Sequence, residues 1–197
     1  MGAEGGENPM GETTEGKNLN KSGESSRTEI VVGKGEGLAF GVALEYLTKM
    51  EATDSGETQA GDYIIAYSIE EAEGLYWKEN GKLVWHDPVE ENCHLEIVVR
   101  NASDGRFLPS LTVQATLAEF HGNIIGRYDM PFLWHPWVYH YGRNCKVPQS
   151  GNYKLTVRVE SPDFPRHDRI NGKRFMEPVT VEFEINIKTG RKISKAA

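Results

Sequence analysis

The residues in this chain whose types and spacing could hold a transition metal are its histidines, with a glutamate and a methionine close by. In Cys93-His94-Leu95-Glu96-Ile97-Val98-Val99 an imidazole and a carboxylate stand two residues apart. In a strand, residues i and i+2 share a face, so His94 and Glu96 project together about 7 Å apart, while Cys93, Leu95, Ile97 and Val99 project the other way. Both donors can reach one ion, although two such residues alone also describe an ordinary polar sheet face. A second segment, Met130 to Gly142, holds a thioether, His135, His140, two prolines and five large aromatics. The prolines argue for a rigid loop, and the aromatics fit a hydrophobic cap with satisfied histidines. A third segment, Ser161 to Arg169, carries His167 among charges. Three separate imidazole sources are how a β-sandwich assembles a copper or zinc site.

The elements that must position these residues read as strands. After Arg27 the chain becomes a series of segments rich in Val, Ile, Tyr and Thr, punctuated by Gly, Asn and Pro. The pattern predicts strands over Leu38–Met50, Asp62–Ile69, Leu75–Trp85, His94–Arg100, Leu111–Phe120, Ile124–Asp129, Tyr153–Glu160 and Val179–Lys188. Asn80-Gly81 marks a two-residue hairpin turn, and His121-Gly122-Asn123 a weaker one. Tyr153, Leu155, Val157 and Val159 alternate with polar neighbours, as do Val179, Val181, Phe183, Ile185 and Ile187. No helical period of useful length is evident. The expected architecture is all-β, an immunoglobulin-like antiparallel β-sandwich with a disordered N-terminal tail. Residues 1–28, rich in Gly, Glu, Ser and Asn, form the expected linker, 29–190 the domain and 191–197 a C-terminal tail.

Composition narrows the function. At 197 residues the chain fits one domain with a buried core. A net charge of -7 and a pI near 5.4 disfavour nucleic acid and anionic membrane surfaces. No apolar run is long enough to span a bilayer. Two cysteines exclude both a disulfide scaffold and a four-cysteine zinc site. Gly33-Lys34-Gly35-Glu36-Gly37 lacks the ending of a phosphate loop and reads as a flexible lead-in to the first strand. Neither HExxH nor a nucleophile elbow is present, so hydrolase chemistry has no support.

From Cys93 to Gly190 the chain resembles the periplasmic iron-transport accessory family, small dimeric immunoglobulin-like proteins associated with ferrous-iron permeases. The resemblance is carried by His94-Leu95-Glu96, Leu111-Thr112-Val113, Met130-Pro131, His140-Tyr141-Gly142 with Asn144, Gly151-Asn152-Tyr153-Lys154-Leu155-Thr156, Arg166-His167 and Glu177-Pro178, in that order. It implies a site for copper and/or iron, with zinc able to substitute in vitro, formed by His94, Glu96, His140 and His167, the last near a dimer interface. It further implies a homodimer at the periplasm or cell surface that hands metal to a membrane permease. The N-terminal segment would then be the tether of a lipoprotein. The family's methionine ligand follows the Met-Pro proline, where this chain has Phe132, so Met130 and His135 are the candidates to replace it. Glu51, after Met50, resembles part of a family Met-Glu pair and is a further candidate.

If the metal segments converge, Cys93 and Cys145 come close enough for a disulfide, which suits an oxidising compartment, and two buried free thiols fit equally. Two other functions fit parts of the chain. A copper oxidoreductase acting on Fe(II) would use the same histidines, and an adhesion or carbohydrate-binding module would use Trp134 and Trp137 as a platform.

Overall fold

Period-2 alternation of apolar side chains builds two antiparallel sheets that close on one core, and the computed structural model describes residues 18–189 of the chain. The strands are β1 (Asp54–Ala60), β2 (Tyr63–Glu70), β3 (Leu75–Glu79), β4 (Lys82–His86), β5 (Cys93–Asn101), β6 (Val113–Glu119), β7 (Ile124–Asp129), β8 (Phe132–Leu133), β9 (His140–Cys145), β10 (Gly151–Val159) and β11 (Val179–Ile187). One sheet has the order β1-β2-β5-β9-β8, the other β11-β10-β6-β7, and β3-β4 stand apart as a hairpin. Tyr63, Ile65, Tyr67 and Ile69 of β2 and Leu95, Ile97 and Val99 of β5 meet Val113, Ala115 and Leu117 of β6 and Leu155, Val157 and Val159 of β10 in the core. This is the β-sandwich that the alternation implies. Asn80 and Gly81 take φ angles of 49° and 80°, as the tight turn between β3 and β4 requires.

The expected first strand over Leu38–Met50 is not a strand. An α-helix, α1 (Arg27–Tyr46), continues into a π-helical turn, Leu47–Glu51. Four glycines and two adjacent valines hide the helix from a propensity reading. Its start is nevertheless written locally. Ser26 accepts from the Glu29 backbone N–H while the Glu29 carboxylate accepts from the Ser26 N–H, a reciprocal capping box. The Gly33–Gly37 stretch is therefore helix rather than a flexible lead-in. A Cβ on Gly37 would lie 1.8 Å from the Asp104 carbonyl oxygen, so only glycine lets the helix backbone approach the loop after β5.

Leu44 and Leu47 pack with Phe40 and Val138 onto Ala66 of β2 and Val98 of β5. The helix thus covers part of the outer face of the five-stranded sheet. Of the expected linker, residues 1–17 lie outside the described residues, as does the C-terminal tail 191–197. Just ahead of α1 the chain is tied to the loop after β10. Ser22 Oγ donates to Asp168 Oδ2 at 2.7 Å, and the Asn20 backbone exchanges two hydrogen bonds with the Asn171 amide, each of 2.9 Å. Among the described residues no helix is long and apolar enough to cross a membrane.

Candidate metal centre

Three central strands present polar side chains on the outer sheet face, beyond the helix. In β2 the alternation that buries Ile65, Tyr67 and Ile69 inward turns Ser68 and Glu70 outward. Ser68 pairs across to Glu96 and Glu70 to His94 on β5. On β9, His140, Gly142 and Asn144 share the same face, with Gly142 opposite Glu96 and Asn144 opposite His94. The intervening Tyr141 points into the core, where its hydroxyl donates to the Leu108 carbonyl at 2.7 Å.

The ligand atoms of His94, Glu96 and His140 all lie within 4.8 Å of one another. The three residues are buried, with 1%, 4% and 3% of their surfaces exposed. Glu96 Oε1 stands 3.2 Å from His140 Nε2, and the Ser68 hydroxyl donates to Glu96 Oε2. His94 Nδ1 lies 2.8 Å from Asn144 Oδ1. The Asn144 amide is fixed from the other side, because its Nδ2 donates to the Glu73 carbonyl at 2.7 Å and its Oδ1 accepts from the Glu73 N–H at 3.2 Å. With Oδ1 as an acceptor, the Asn144 contact favours the tautomer that carries the His94 ring proton on Nδ1, which leaves Nε2 as the atom that can ligate an ion. That Nε2 is turned over Gly142, where a Cβ would come within 2.9 Å of it and within 2.8 Å of the His140 ring. The missing side chain leaves the space between the two imidazoles open.

The electrostatics suit a cation. Burial, reinforced by the neighbouring His94 and His135, lowers the His140 pKa to about 3, so the ring is neutral with a lone pair to offer. Burial raises Glu96 to about 7 against the Ser68 hydrogen bond, which lowers it. Between those values the proton rests on Glu96, and its contact with His140 is a hydrogen bond rather than an ion pair. Burial also raises Glu70 to about 8, helped by the charges of Glu96 and Glu73. Carboxylates crowded into a low-dielectric pocket beside the neutral His140 imidazole are stabilised by a bound positive ion.

The other sequence candidates are distributed around this cluster. His135 lies near it, its ring centroid 6.2 Å from that of His140 and 5.0 Å from Trp137. Glu51 ends the π-helical turn and contributes to the raised Glu70. Met130 is on the opposite side of the sheet, 3% exposed within the sandwich core. His167 has its side chain 93% exposed, 3.2 Å from Glu24 in the loop after β10. Cys93 and Cys145 are cross-strand partners, both buried and free. Trp134 and Trp137 are exposed. Sequence reasoning missed Ser68, Glu70 and the roles of Gly142 and Asn144. The one local signal was the polar ending, Ser68-Ile69-Glu70, of an otherwise apolar strand.

No curated protein matches the chain. Among solved structures, FetP of uropathogenic Escherichia coli strain F11, expressed recombinantly in the periplasm of E. coli, superposes with a TM-score of 0.60 at 22% identity, covering 72% of this chain and 99% of FetP. The copper-reconstituted P19 protein of Campylobacter jejuni gives a TM-score of 0.57 at 19% identity, covering 70% of this chain and 96% of P19. Both likenesses are of fold. The family described as Fe2+ transport protein matches residues 85–188, the stretch that carries His94, Glu96, His140 and His167 and more than half of the chain; the chain belongs to that family.

Proposed function

We propose that the protein is a periplasmic metal-binding accessory protein of iron uptake, which takes up a copper or iron ion at His94, Glu96 and His140 and passes it to a ferrous-iron permease. The observation that carries this reading is the convergence of three buried ligand atoms from β5 and β9 within 4.8 Å. The P19 structure is copper-reconstituted, and FetP was expressed in the periplasm. His94 and His140 supply nitrogen donors, and Glu96 supplies an oxygen after losing its proton to the solvent. A bound metal ion contributes the positive charge that holds Glu96 ionised.

His135 is a candidate for a fourth donor, its ring centroid 6.2 Å from that of His140. Its Nδ1 is buried and lacks a hydrogen-bond partner among the described residues. Met130, packed in the core, would need the strand around it to turn over before its sulfur reached the same ion. An imidazole and carboxylate set suits Cu(II), Zn(II) or Fe(II) better than Cu(I). In a homodimer, the exposed His167 of one copy would join the site of the other. The Gly-, Glu- and Ser-rich N-terminal segment has the composition of a tether, as in a lipoprotein.

Calorimetric titration with Cu(II), and with Fe(II) under anaerobic conditions, tests the reading. His94→Ala and His140→Ala should each weaken binding by more than about a hundredfold, beyond the 10–100-fold typical of residues that only support a ligand. Both variants should still melt cooperatively. Unchanged affinity in both would sink the proposal.

A further inference from the structure

We propose that Cys93 and Cys145 form a disulfide that fastens β5 to β9 directly beneath the ligand cluster. The inference rests on strand register and burial and is independent of which metal, if any, the site takes.

Cys93 is the first residue of β5 and Cys145 the last of β9, and the two are direct cross-strand partners. Directly opposed residues of an antiparallel pair have Cα atoms about 4.5–5.5 Å apart, inside the 4.4–6.8 Å range of disulfides. Both side chains face the sandwich interior, at 0% and 1% exposure. Cys93 Sγ donates to the Cys145 carbonyl at 3.5 Å. The two thiols also hydrogen-bond to one another, which with burial pushes the Cys145 pKa up. The next pair along the register is His94 with Asn144, joined by the hydrogen bond that orients the His94 ring. A covalent bond one residue away therefore fixes the spacing of the two strands that carry all three ligands.

The oxidant class is a small organic disulfide. The Cys93 thiolate attacks one of its sulfurs, the reagent's S–S bond breaks, and a mixed disulfide forms as one thiol leaves. The Cys145 thiolate then attacks Cys93 Sγ, forming the internal bond and expelling the second thiol. Two protein thiols lose two electrons and two protons, and the reagent is reduced to two thiols. Because both cysteines stand at strand ends, fraying of the first and last residues gives the reagent access without opening the sandwich.

The test uses the full chain, folded, incubated with oxidised glutathione and then alkylated under denaturing conditions. The expected product takes up no alkylating reagent and is lighter than the dithiol by two hydrogens. It melts about 10 °C above the reduced form, and it releases Cu(II) several-fold more slowly. A Cys93→Ser/Cys145→Ser double variant should melt at the same temperature with and without the oxidant. Two alkylated thiols, or a glutathione adduct that never resolves to the internal bond, would overturn the proposal. A bond that forms without raising the melting temperature would overturn its role as a fastening. If the protein binds no metal, thiol count and melting temperature still decide the matter.

Discussion

The outer face of the five-stranded sheet has two halves built on the same two strands. Under α1, Ala66 and Val98 meet Leu44, Leu47 and Val138 in a small apolar cluster. Two residues further along β2 and two residues back along β5, the same face carries Ser68, Glu70, Glu96 and His94, with His140 of β9 beside them. Both halves are buried, but for different ends. Removing apolar area from water stabilises the fold under the helix, whereas burying a carboxylate and two imidazoles opposes folding unless each is paired or neutral. The polar half therefore stores a desolvation cost that a cation can relieve, and the apolar half holds the frame against which that cost is sustained.

Breaking the apolar half should cost stability and leave binding alone. Leu47→Ala, at a residue 3% exposed, is expected to destabilise by about 3 kcal/mol. The melting temperature should fall by about 10 °C while metal affinity in the folded protein stays within a factor of two. A comparable loss of affinity would mean that the two halves are not separable. Gly142→Ala should do the reverse. Its added methyl lies within 2.9 Å of both imidazoles, so the rings must part. Affinity should drop by about a hundredfold, against an overpacking cost of about 1–3 kcal/mol that the flexible Leu133 side chain moderates. Wild-type affinity in this variant would remove Gly142 from the argument.

How much of this was legible in the sequence follows from which interactions are local. Alternation along Cys93–Val99 put His94 and Glu96 on one face because that information lies within the strand itself. The capping box at Ser26 and Glu29 was equally local but stood before a run of glycines and valines that argues against helix, and tertiary packing on Val98 overrides that preference. β1, with the sequence Asp-Ser-Gly-Glu-Thr-Gln-Ala, has little strand propensity and exists because β2 offers it an edge. Residues 140–142 of β9 read as the end of an aromatic loop, yet pairing with β5 makes them strand and brings His140 to Glu96. Glu70 and Asn144 could not be assigned without the pairing of β5 with β2 and with β9, since their roles depend on standing opposite His94. The core position of Met130 is likewise a consequence of which way β8 and β9 turn.

Asn144 acts on the polar half at one remove, through the His94 ring. Asn144→Ala frees the His94 ring to change tautomer and orientation, and affinity should fall by about 10–100-fold. Asn144→Asp keeps the acceptor and should restore most of that loss; equal loss in both variants would assign Asn144 a merely structural role.

The proton balance of the polar half gives an effect graded with pH, in which Glu96 and His140 pull in opposite directions. Glu96 holds its proton up to about 7 when folded, while the unfolded chain releases it near 4.3. Its contribution therefore favours the apo fold at low pH and is lost as pH rises through 7. His140 stays neutral down to about 3, while the unfolded imidazole takes a proton below about 6.5. Its contribution is lost as pH falls from about 6.5 toward 3. For metal binding the signs separate. His140 is already neutral across the physiological range and its proton does not compete with an ion, whereas Glu96 must give up its proton below about 7. Affinity should weaken by up to about tenfold per pH unit between 7 and 5 on account of Glu96. Calorimetry at pH 6 in buffers of different ionisation enthalpy should register proton release from Glu96, and Glu96→Gln should abolish that part of the release. A pH-independent affinity from 5 to 8 would mean that the ion does not use the Glu96 carboxylate, leaving the two imidazoles to account for the site.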